Sequence, residues 1–88
     1  MNVKELKIFA KKYEEFYKNG VITIGANYNK KGLYVLLETD VFLRLSNNKY
    51  TYKKREVGDY KHELFFIYED VKFKTILNDK EFKEVENV

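Results

Sequence analysis

The side chains that most often carry out catalysis are scarce in this chain. It contains one histidine, His62, one serine, Ser46, and no cysteine. The lack of cysteine excludes thiolate nucleophiles, disulfides and Cys-ligated zinc or iron–sulfur sites. Asp59 stands three residues before His62, but Glu63 falls on the opposite face of the strand predicted there, so a metal ion would lack further ligands. We therefore predict no catalytic residue, no metal and no cofactor.

Two other common arrangements are also missing from the sequence. Ser46 stands beside Asn47 and Asn48, where a turn accounts for it, and the spacing does not bring His62 near it. The four glycines are isolated from one another, so there is no GxGxxG or GxxxxGK loop to hold a phosphate. The sequence therefore predicts a protein that is not an enzyme.

One pattern is shared with metal-dependent nucleases of the PD-(D/E)xK class. Asp59 is followed by Asp70, Val71 and Lys72, and such an Asp and acid-x-Lys pair can hold Mg²⁺ and activate water. Here the acid-x-Lys motif begins in a predicted tight turn, whereas the class places it within a strand. A minimal Mg²⁺-dependent nuclease is therefore the least favoured alternative.

The strongest local signal is a segment in which basic and aromatic residues are interleaved. Such a segment can follow a phosphate backbone with its cations while its rings stack on bases. Alternatively, the rings belong to the core and the lysines form a solvated edge that discourages aggregation. The candidate nucleic-acid or partner-binding residues are Lys49, Tyr50, Tyr52, Lys53, Lys54 and Arg55, and the basic face of the first helix could extend their surface through Lys4, Lys7, Lys11, Lys12 and Lys18.

An amphipathic helix is predicted over residues 3–19. Asn2 and Glu5 have the spacing of a capping box, and Gly20 suits the left-handed residue that ends a helix. The apolar residues follow a 3-4-3-3 spacing, which places them on one stripe. The members of this stripe are Val3, Leu6, Phe9, Ala10, Tyr13, Phe16 and Tyr17.

The period then changes to two, which predicts β-strands. Residues 21–28 and 33–38 flank a turn at residues 29–32, and pairing Tyr28 with Leu33 gives one apolar face. Residues 41–46 and 49–54 form a second predicted hairpin.

The turn of this second hairpin is predicted at Asn47 and Asn48, since asparagine tolerates positive φ. In that hairpin Leu45 pairs with Tyr50 and Leu43 with Tyr52. Residues 38–40 are either a turn or a bulge, so residues 33–46 form either two strands or one bent strand.

The C-terminal part of the chain predicts a third hairpin and a short helix. Gly58 marks a polar connection over residues 54–60, after which residues 61–68 and 71–77 pair with Tyr68 opposite Val71. Asn78 and Asp79 could cap a final helix whose apolar residues are Phe82 and Val85.

These elements predict an α+β fold in a single domain covering residues 1–88. An N-terminal amphipathic helix packs on an antiparallel meander of five to six strands. Several large apolar side chains fall on the sheet face away from that helix, and leaving them in water would cost a small domain much of its stability. That face is therefore predicted to bind a partner or a second copy, and its residues are Leu36, Phe42, Phe65, Ile67 and Ile76.

Composition narrows the class of protein further. With 44% hydrophobic and 17% aromatic residues, the 88-residue chain is too apolar for a disordered protein. No apolar run is long enough to span a membrane, so we expect a cytoplasmic protein. The net charge of +3 is unevenly placed, with a basic N-terminal half and an acidic C-terminal third, which could orient the domain on a partner.

The chain resembles accessory proteins of phages and mobile elements, including anti-CRISPR inhibitors of host nucleic-acid machinery. The resemblance lies in its small size, its AT-rich coding composition and its few catalytic side chains. This resemblance implies a non-enzymatic protein that occludes the surface of a larger partner, such as a nucleic-acid-processing complex, in the host cytoplasm. Direct nucleic-acid binding through residues 49–55 and the first helix is the alternative.

Overall fold

The α+β prediction is confirmed by a computed structural model that describes residues 1–26 and 32–86. Three helices and five strands make up this part of the chain. In order they are α1 (Val3–Lys18), β1 (Val21–Ala26), β2 (Leu33–Leu37), α2 (Thr39–Ser46), β3 (Thr51–Lys54), β4 (His62–Tyr68), β5 (Val71–Leu77) and α3 (Asp79–Glu86).

The five strands form one sheet in the order β1-β2-β5-β4-β3. Three of the four neighbouring pairs are antiparallel, but β2 and β5 run parallel, so the sheet is not a simple meander. The parallel pair arises because the chain leaves β2 through α2, enters the sheet again at the far edge as β3, and returns through β4 to place β5 beside β2.

Helix α1 has the predicted ends. The Asn2 side chain accepts a hydrogen bond from the Glu5 backbone N–H at 2.9 Å, and Gly20 has a φ of 103°. Its packing differs from the prediction, because α1 contacts mainly β1 and none of its residues is buried. The helices that cover the sheet are α2 and α3, which both contact β5.

The β4–β5 hairpin matches the predicted register. His62 lies opposite Leu77 and Tyr68 opposite Val71, and both turn residues, Glu69 and Asp70, have positive φ. Because the two strands are joined by only two residues, the turn determines the register.

The β1–β2 register differs from the prediction by two residues. Ala26 lies opposite Leu33 and Ile24 opposite Val35, with an irregularity near the start of β1. Ile24 and Ala26 still share a face with Leu33 and Val35, because side-chain direction repeats every two residues along a strand. The irregularity places Val21 opposite Leu37, instead of Ile22, which was predicted to share this face. The predicted Tyr28–Leu33 pair and residues 29–31 of the predicted turn fall outside the described residues.

The prediction of a strand at residues 41–46 was wrong, because these residues belong to helix α2. The neighbouring Asn47 and Asn48 do have the predicted positive φ, but they end this helix instead of turning a hairpin. Six residues with this apolar pattern fit either a strand or a helical face, so periodicity alone could not decide. Residues 33–46 are thus neither one bent strand nor two strands.

Helix α3 confirms the predicted C-terminal helix and its cap. The Glu81 backbone N–H donates to the Asn78 side-chain oxygen at 2.8 Å, and the Asn78 backbone N–H donates to the Glu81 carboxylate at 3.0 Å. This reciprocal arrangement satisfies two backbone donors at the helix start. Phe82 and Val85 pack against the core.

The hydrophobic core lies between α2, α3 and one face of the sheet. Its fully buried members are Leu37, Phe42, Leu64 and Leu77, and Phe66 and Phe73 pack against them. The core side chains of β2, β4 and β5 all lie on this face of the sheet, which we call the core face.

Candidate binding surface

The face of the sheet opposite the core face carries most of the predicted partner-binding residues. Among the described residues, those of this face are absent from the core cluster. We call this surface the open sheet face. The strand registers assign to it Tyr34, Leu36, Lys53, Glu63, Phe65, Ile67, Lys72, Lys74 and Ile76.

The predicted partner-binding residues fall into three groups in the structure. Leu36, Phe65 and Ile76 are half-buried, whereas Ile67 is 66% exposed and is the most accessible apolar side chain of this face. Phe42 was wrongly assigned to the face: it is fully buried in α2 and its ring lies 5.6 Å from that of Phe66 on the core side. Phe42 lies on the core side because residues 41–46 form a helix over the core face instead of the predicted strand.

Two lysines partly cover the aromatic rings of the open sheet face. Lys72 Nζ lies 4.4 Å from the centre of the Phe65 ring, and Lys74 Nζ lies 4.5 Å from the centre of the Tyr34 ring. Such cation–π contacts stabilise by about 0.5–1 kcal/mol each at accessible sites. The lysine stems also shield apolar surface, which explains why this face tolerates several large side chains without a covering helix.

Glu63 holds both lysines in place. One of its carboxylate oxygens lies 2.8 Å from Lys72 Nζ and the other lies 3.6 Å from Lys74 Nζ, while Glu63 itself is 4% exposed. Burial raises the pKa of the Glu63 carboxyl, but the hydrogen bond and charge of Lys72, with the charges of Lys74 and Lys53, outweigh it and hold this pKa below its usual value. Glu63 is therefore ionised at neutral pH and orders the cationic side chains around it.

The Tyr34 ring lies over the glycine of the neighbouring strand. Gly25 is opposite Tyr34, and a Cβ at Gly25 would lie 2.8 Å from the Tyr34 hydroxyl and 2.9 Å from its ring. A side chain at this position would therefore displace the ring. Gly25 thus leaves the space in which the Tyr34 ring lies across β1.

The basic segment 49–55 is placed differently from the predicted hairpin. Its strand, β3, pairs with β4 at the edge of the sheet, with Tyr52 opposite Leu64 and Lys53 opposite Glu63. Lys49 and Tyr50 precede the strand, and Arg55 follows it and donates its backbone N–H to the Lys61 carbonyl oxygen at 2.7 Å. The predicted Leu45–Tyr50 and Leu43–Tyr52 pairs do not form, because their partner segment is helical.

The two tyrosines of this segment turn toward the core side and not toward Lys53. The Tyr50 ring lies 5.9 Å from Phe42, and the Tyr52 ring stacks 5.0 Å from Phe82 of α3. The cations of β3 are thus divided between the two faces of the edge strand, with Lys53 on the open sheet face and Lys54 on the same face as Tyr52. This placement separates the two rings from Lys53, whereas Lys54 stays on the face of Tyr52.

A side-chain cluster that sequence reasoning missed joins β3, β4 and α3. The Tyr52 hydroxyl lies 2.8 Å from His62 Nδ1, and His62 Nε2 lies 2.7 Å from the Asp79 carboxylate. The imidazole also stacks 4.2 Å from the Phe82 ring. The hydrogen bond from His62 lowers the pKa of Asp79 against the smaller effect of its desolvation. The cluster fastens α3 to the sheet.

The order of this cluster is that of an acid, an imidazole and a hydroxyl, as in proton relays. Its residues come from three elements that are far apart in the sequence, so no spacing in the sequence predicts that they meet. The one related sequence signal is the capping pattern at Asn78, which predicts the start of α3. The rings of Phe82 and Tyr52 pack around the His62 ring, and the hydrogen bonds of His62 attach α3 to the sheet. We therefore interpret it as structural.

The residues of the nuclease pattern are not brought together. Asp59 lies in the loop before β4 and Asp70 in the turn after it, so the two flank a seven-residue strand that spans roughly 20 Å. Lys72 pairs instead with Glu63 on the open sheet face. Within residues 1–26 and 32–86, no three His, Cys, Asp or Glu side chains are grouped so as to hold a metal ion.

Comparison with known proteins assigns no family: no family model, curated protein or solved structure matches the chain. Among the described helices, none combines the length and apolar character needed to cross a bilayer. Function must therefore be inferred from the surfaces of the protein itself.

Proposed function

We propose that this chain is a non-enzymatic binding protein that docks the open sheet face on a larger protein and occludes part of its surface. The placement of the packed helices supports this most. Helices α2 and α3 lie on the core face, while the opposite face presents Ile67 at 66% exposure among half-buried apolar side chains. Exposed apolar side chains grouped on one face are typical of interaction sites.

The chemistry of the face indicates the kind of partner surface that would fit. Its central strand, β5, contributes Lys72 and Lys74, which together with Lys53 surround the single carboxylate of Glu63. Apolar and aromatic side chains of β2 and β4 lie beside these lysines. A protein surface on which acidic residues alternate with apolar ones complements this pattern. Together with the resemblance in size and composition to phage accessory proteins, this favours a nucleic-acid-processing complex of the cytoplasm as the partner.

Replacement of Ile67 by lysine tests the proposal. Ile67→Lys places a charge at the most exposed apolar position of the face, so we expect at least about a ten-fold loss of partner binding. Val57→Lys is the matched control, because Val57 is also exposed but lies in the loop between β3 and β4. The measurement is affinity capture from cells of the native host, followed by titration of the captured partner with each purified variant.

Equal affinity of the wild-type protein and Ile67→Lys for the captured partner would contradict the proposal. Circular dichroism and thermal unfolding of each variant check that a loss of binding does not reflect unfolding.

Direct nucleic-acid binding is the second candidate, and one observation favours it. Lys53, Lys72 and Lys74 share the open sheet face with the rings of Tyr34 and Phe65, so cations and aromatic rings do lie together there. Single strands bind to such combinations. The same Ile67→Lys variant separates the two functions, because an added cation next to Lys72 strengthens phosphate binding while it weakens docking on an apolar protein surface.

A further inference from the structure

The apolar stripe of α1 is largely uncovered among the described residues. Tyr13 is the one half-buried residue of this stripe, and its hydroxyl donates a hydrogen bond to the Ile22 carbonyl oxygen at 3.0 Å. The remaining members stay accessible, with Phe9 63% and Tyr17 62% exposed. A helix of sixteen residues is marginal in water by itself and takes most of its stability from packing of its apolar face. Within residues 1–26 and 32–86, no side chain buries the remaining members of the stripe.

We propose that a second copy of the chain covers it, with the two α1 helices packed antiparallel about a two-fold axis. This interface is distinct from the open sheet face and does not depend on the proposed function. The stripe fits this arrangement because Val3, Ala10 and Tyr17 are seven residues apart, as are Leu6 and Tyr13. A seven-residue apolar repeat is the pattern by which two helices pack side by side.

Charges along both edges of the stripe complement a second copy. One edge carries Lys7 and Glu14, and the other carries Glu5 and Lys12, again seven residues apart in each case. In an antiparallel pair each edge faces the same edge of the other copy, so lysine meets glutamate twice on both sides. The lysines on the outer side of α1 stay in water.

The area of the stripe is sufficient for a small stable interface. At about 100–150 Å² for each large side chain that is half to two-thirds exposed, the stripe offers roughly 600 Å² per copy. A pair would bury roughly 1,200 Å², which is the lower limit for a specific protein–protein interface. We therefore expect a dimer of moderate affinity.

An anionic membrane surface is the competing occupant, because a helix with lysines opposite an apolar stripe can lie at a lipid interface. The acids argue against it. Glu5 and Glu14 lie at the two edges of the stripe, where an interfacial helix would place them among anionic headgroups. These positions suit the reciprocal lysines of a second copy better.

Sedimentation equilibrium of the full chain tests the dimer, which would have twice the 10.6 kDa chain mass. Phe9→Glu is expected to raise the dimer dissociation constant at least about ten-fold, because the substitution places two charges at the centre of the interface. Ile8→Glu is the matched control: Ile8 is 55% exposed on the other side of the same helix, so this variant stays dimeric.

Charge reversal tests the antiparallel geometry. Lys7→Glu alone is expected to weaken the dimer because the new carboxylate would face Glu14 of the second copy, whereas the Lys7→Glu/Glu14→Lys double variant restores it. A monomeric wild-type chain at all concentrations overturns the proposal, as does equal weakening by Phe9→Glu and Ile8→Glu. A monomer that co-sediments with phosphatidylserine vesicles and loses this binding in Phe9→Glu would assign the stripe to membranes instead.

Discussion

At the scale of single residues, the open sheet face depends on one buried carboxylate. Glu63 contacts two lysines, and those lysines lie against the rings of Phe65 and Tyr34. The alternation of the β4–β5 hairpin predicted that the residues of these two strands share a face. Their ion pairs and cation–π contacts could not be predicted, because they depend on rotamers and on the parallel strand β2, which brings Tyr34 alongside.

Replacement of this carboxylate by an amide should loosen the face. Glu63→Gln is expected to lower the free energy of unfolding at neutral pH by about 1–3 kcal/mol, since a nearly buried charge pair is broken while both lysines keep partial access to water. Urea unfolding measures this difference, and Glu56→Gln, in the exposed loop between β3 and β4, is the control.

The effect should depend on pH in a defined direction. Because the folded protein holds the pKa of Glu63 below its usual value of 4.5, the carboxylate stabilises the fold above about pH 5. That contribution is lost as pH falls through the lowered pKa, so the wild type and Glu63→Gln should converge in acid. A stability difference that stays constant from neutral pH to strong acid would show that the charge of Glu63 does not stabilise the fold.

At the scale of elements, local signals predicted structure well and long-range pairing did not follow from them. The α1 cap, the α3 cap and the β4–β5 turn are set by residues within four positions of each other. In contrast, the parallel pairing of β2 with β5 joins segments more than thirty residues apart, and α2 has a pattern that also suits a strand. The core position of Phe42 follows from α2 and could not be predicted without it.

The junction between α1 and β1 depends on a glycine for two reasons. Gly20 has a φ of 103°, and a Cβ there would overlap the Val41 side chain of α2. Gly20→Ala is expected to destabilise the protein by about 2–4 kcal/mol, which combines the backbone penalty with overpacking. Thermal or urea unfolding measures the loss.

Gly58 provides the matched control for this substitution. Gly58 also has a positive φ, 68°, but no atom of the described residues lies within 4 Å of a Cβ built there. Gly58→Ala should therefore show only the backbone penalty, about 1–2 kcal/mol. Equal destabilisation by the two substitutions would show that contact with Val41 does not matter.

At the scale of the whole molecule, the fold separates three surfaces. The core face is filled by α2 and α3, the open sheet face presents Ile67 between lysines and aromatic rings, and the α1 stripe lies beside β1. An α1-mediated dimer would present two open sheet faces, which would raise the apparent affinity for a partner with repeated sites. The sequence predicted more apolar residues than one core can bury. Because an amphipathic N-terminal helix normally packs on the core, all of these additional residues were expected on the sheet and none on α1.

Site-specific photocrosslinking tests whether the open sheet face contacts a larger protein. A photoreactive amino acid is placed at Ile67 in one variant and, as the control, at Val57 in the loop between β3 and β4. We predict that position 67 crosslinks to one discrete protein in cells of the native host, that unlabelled wild-type protein competes for it, and that position 57 does not crosslink to it. Crosslinking of the same protein with equal yield from both positions, or crosslinking only to nucleic acid from position 67, would show that the open sheet face does not dock on a larger protein.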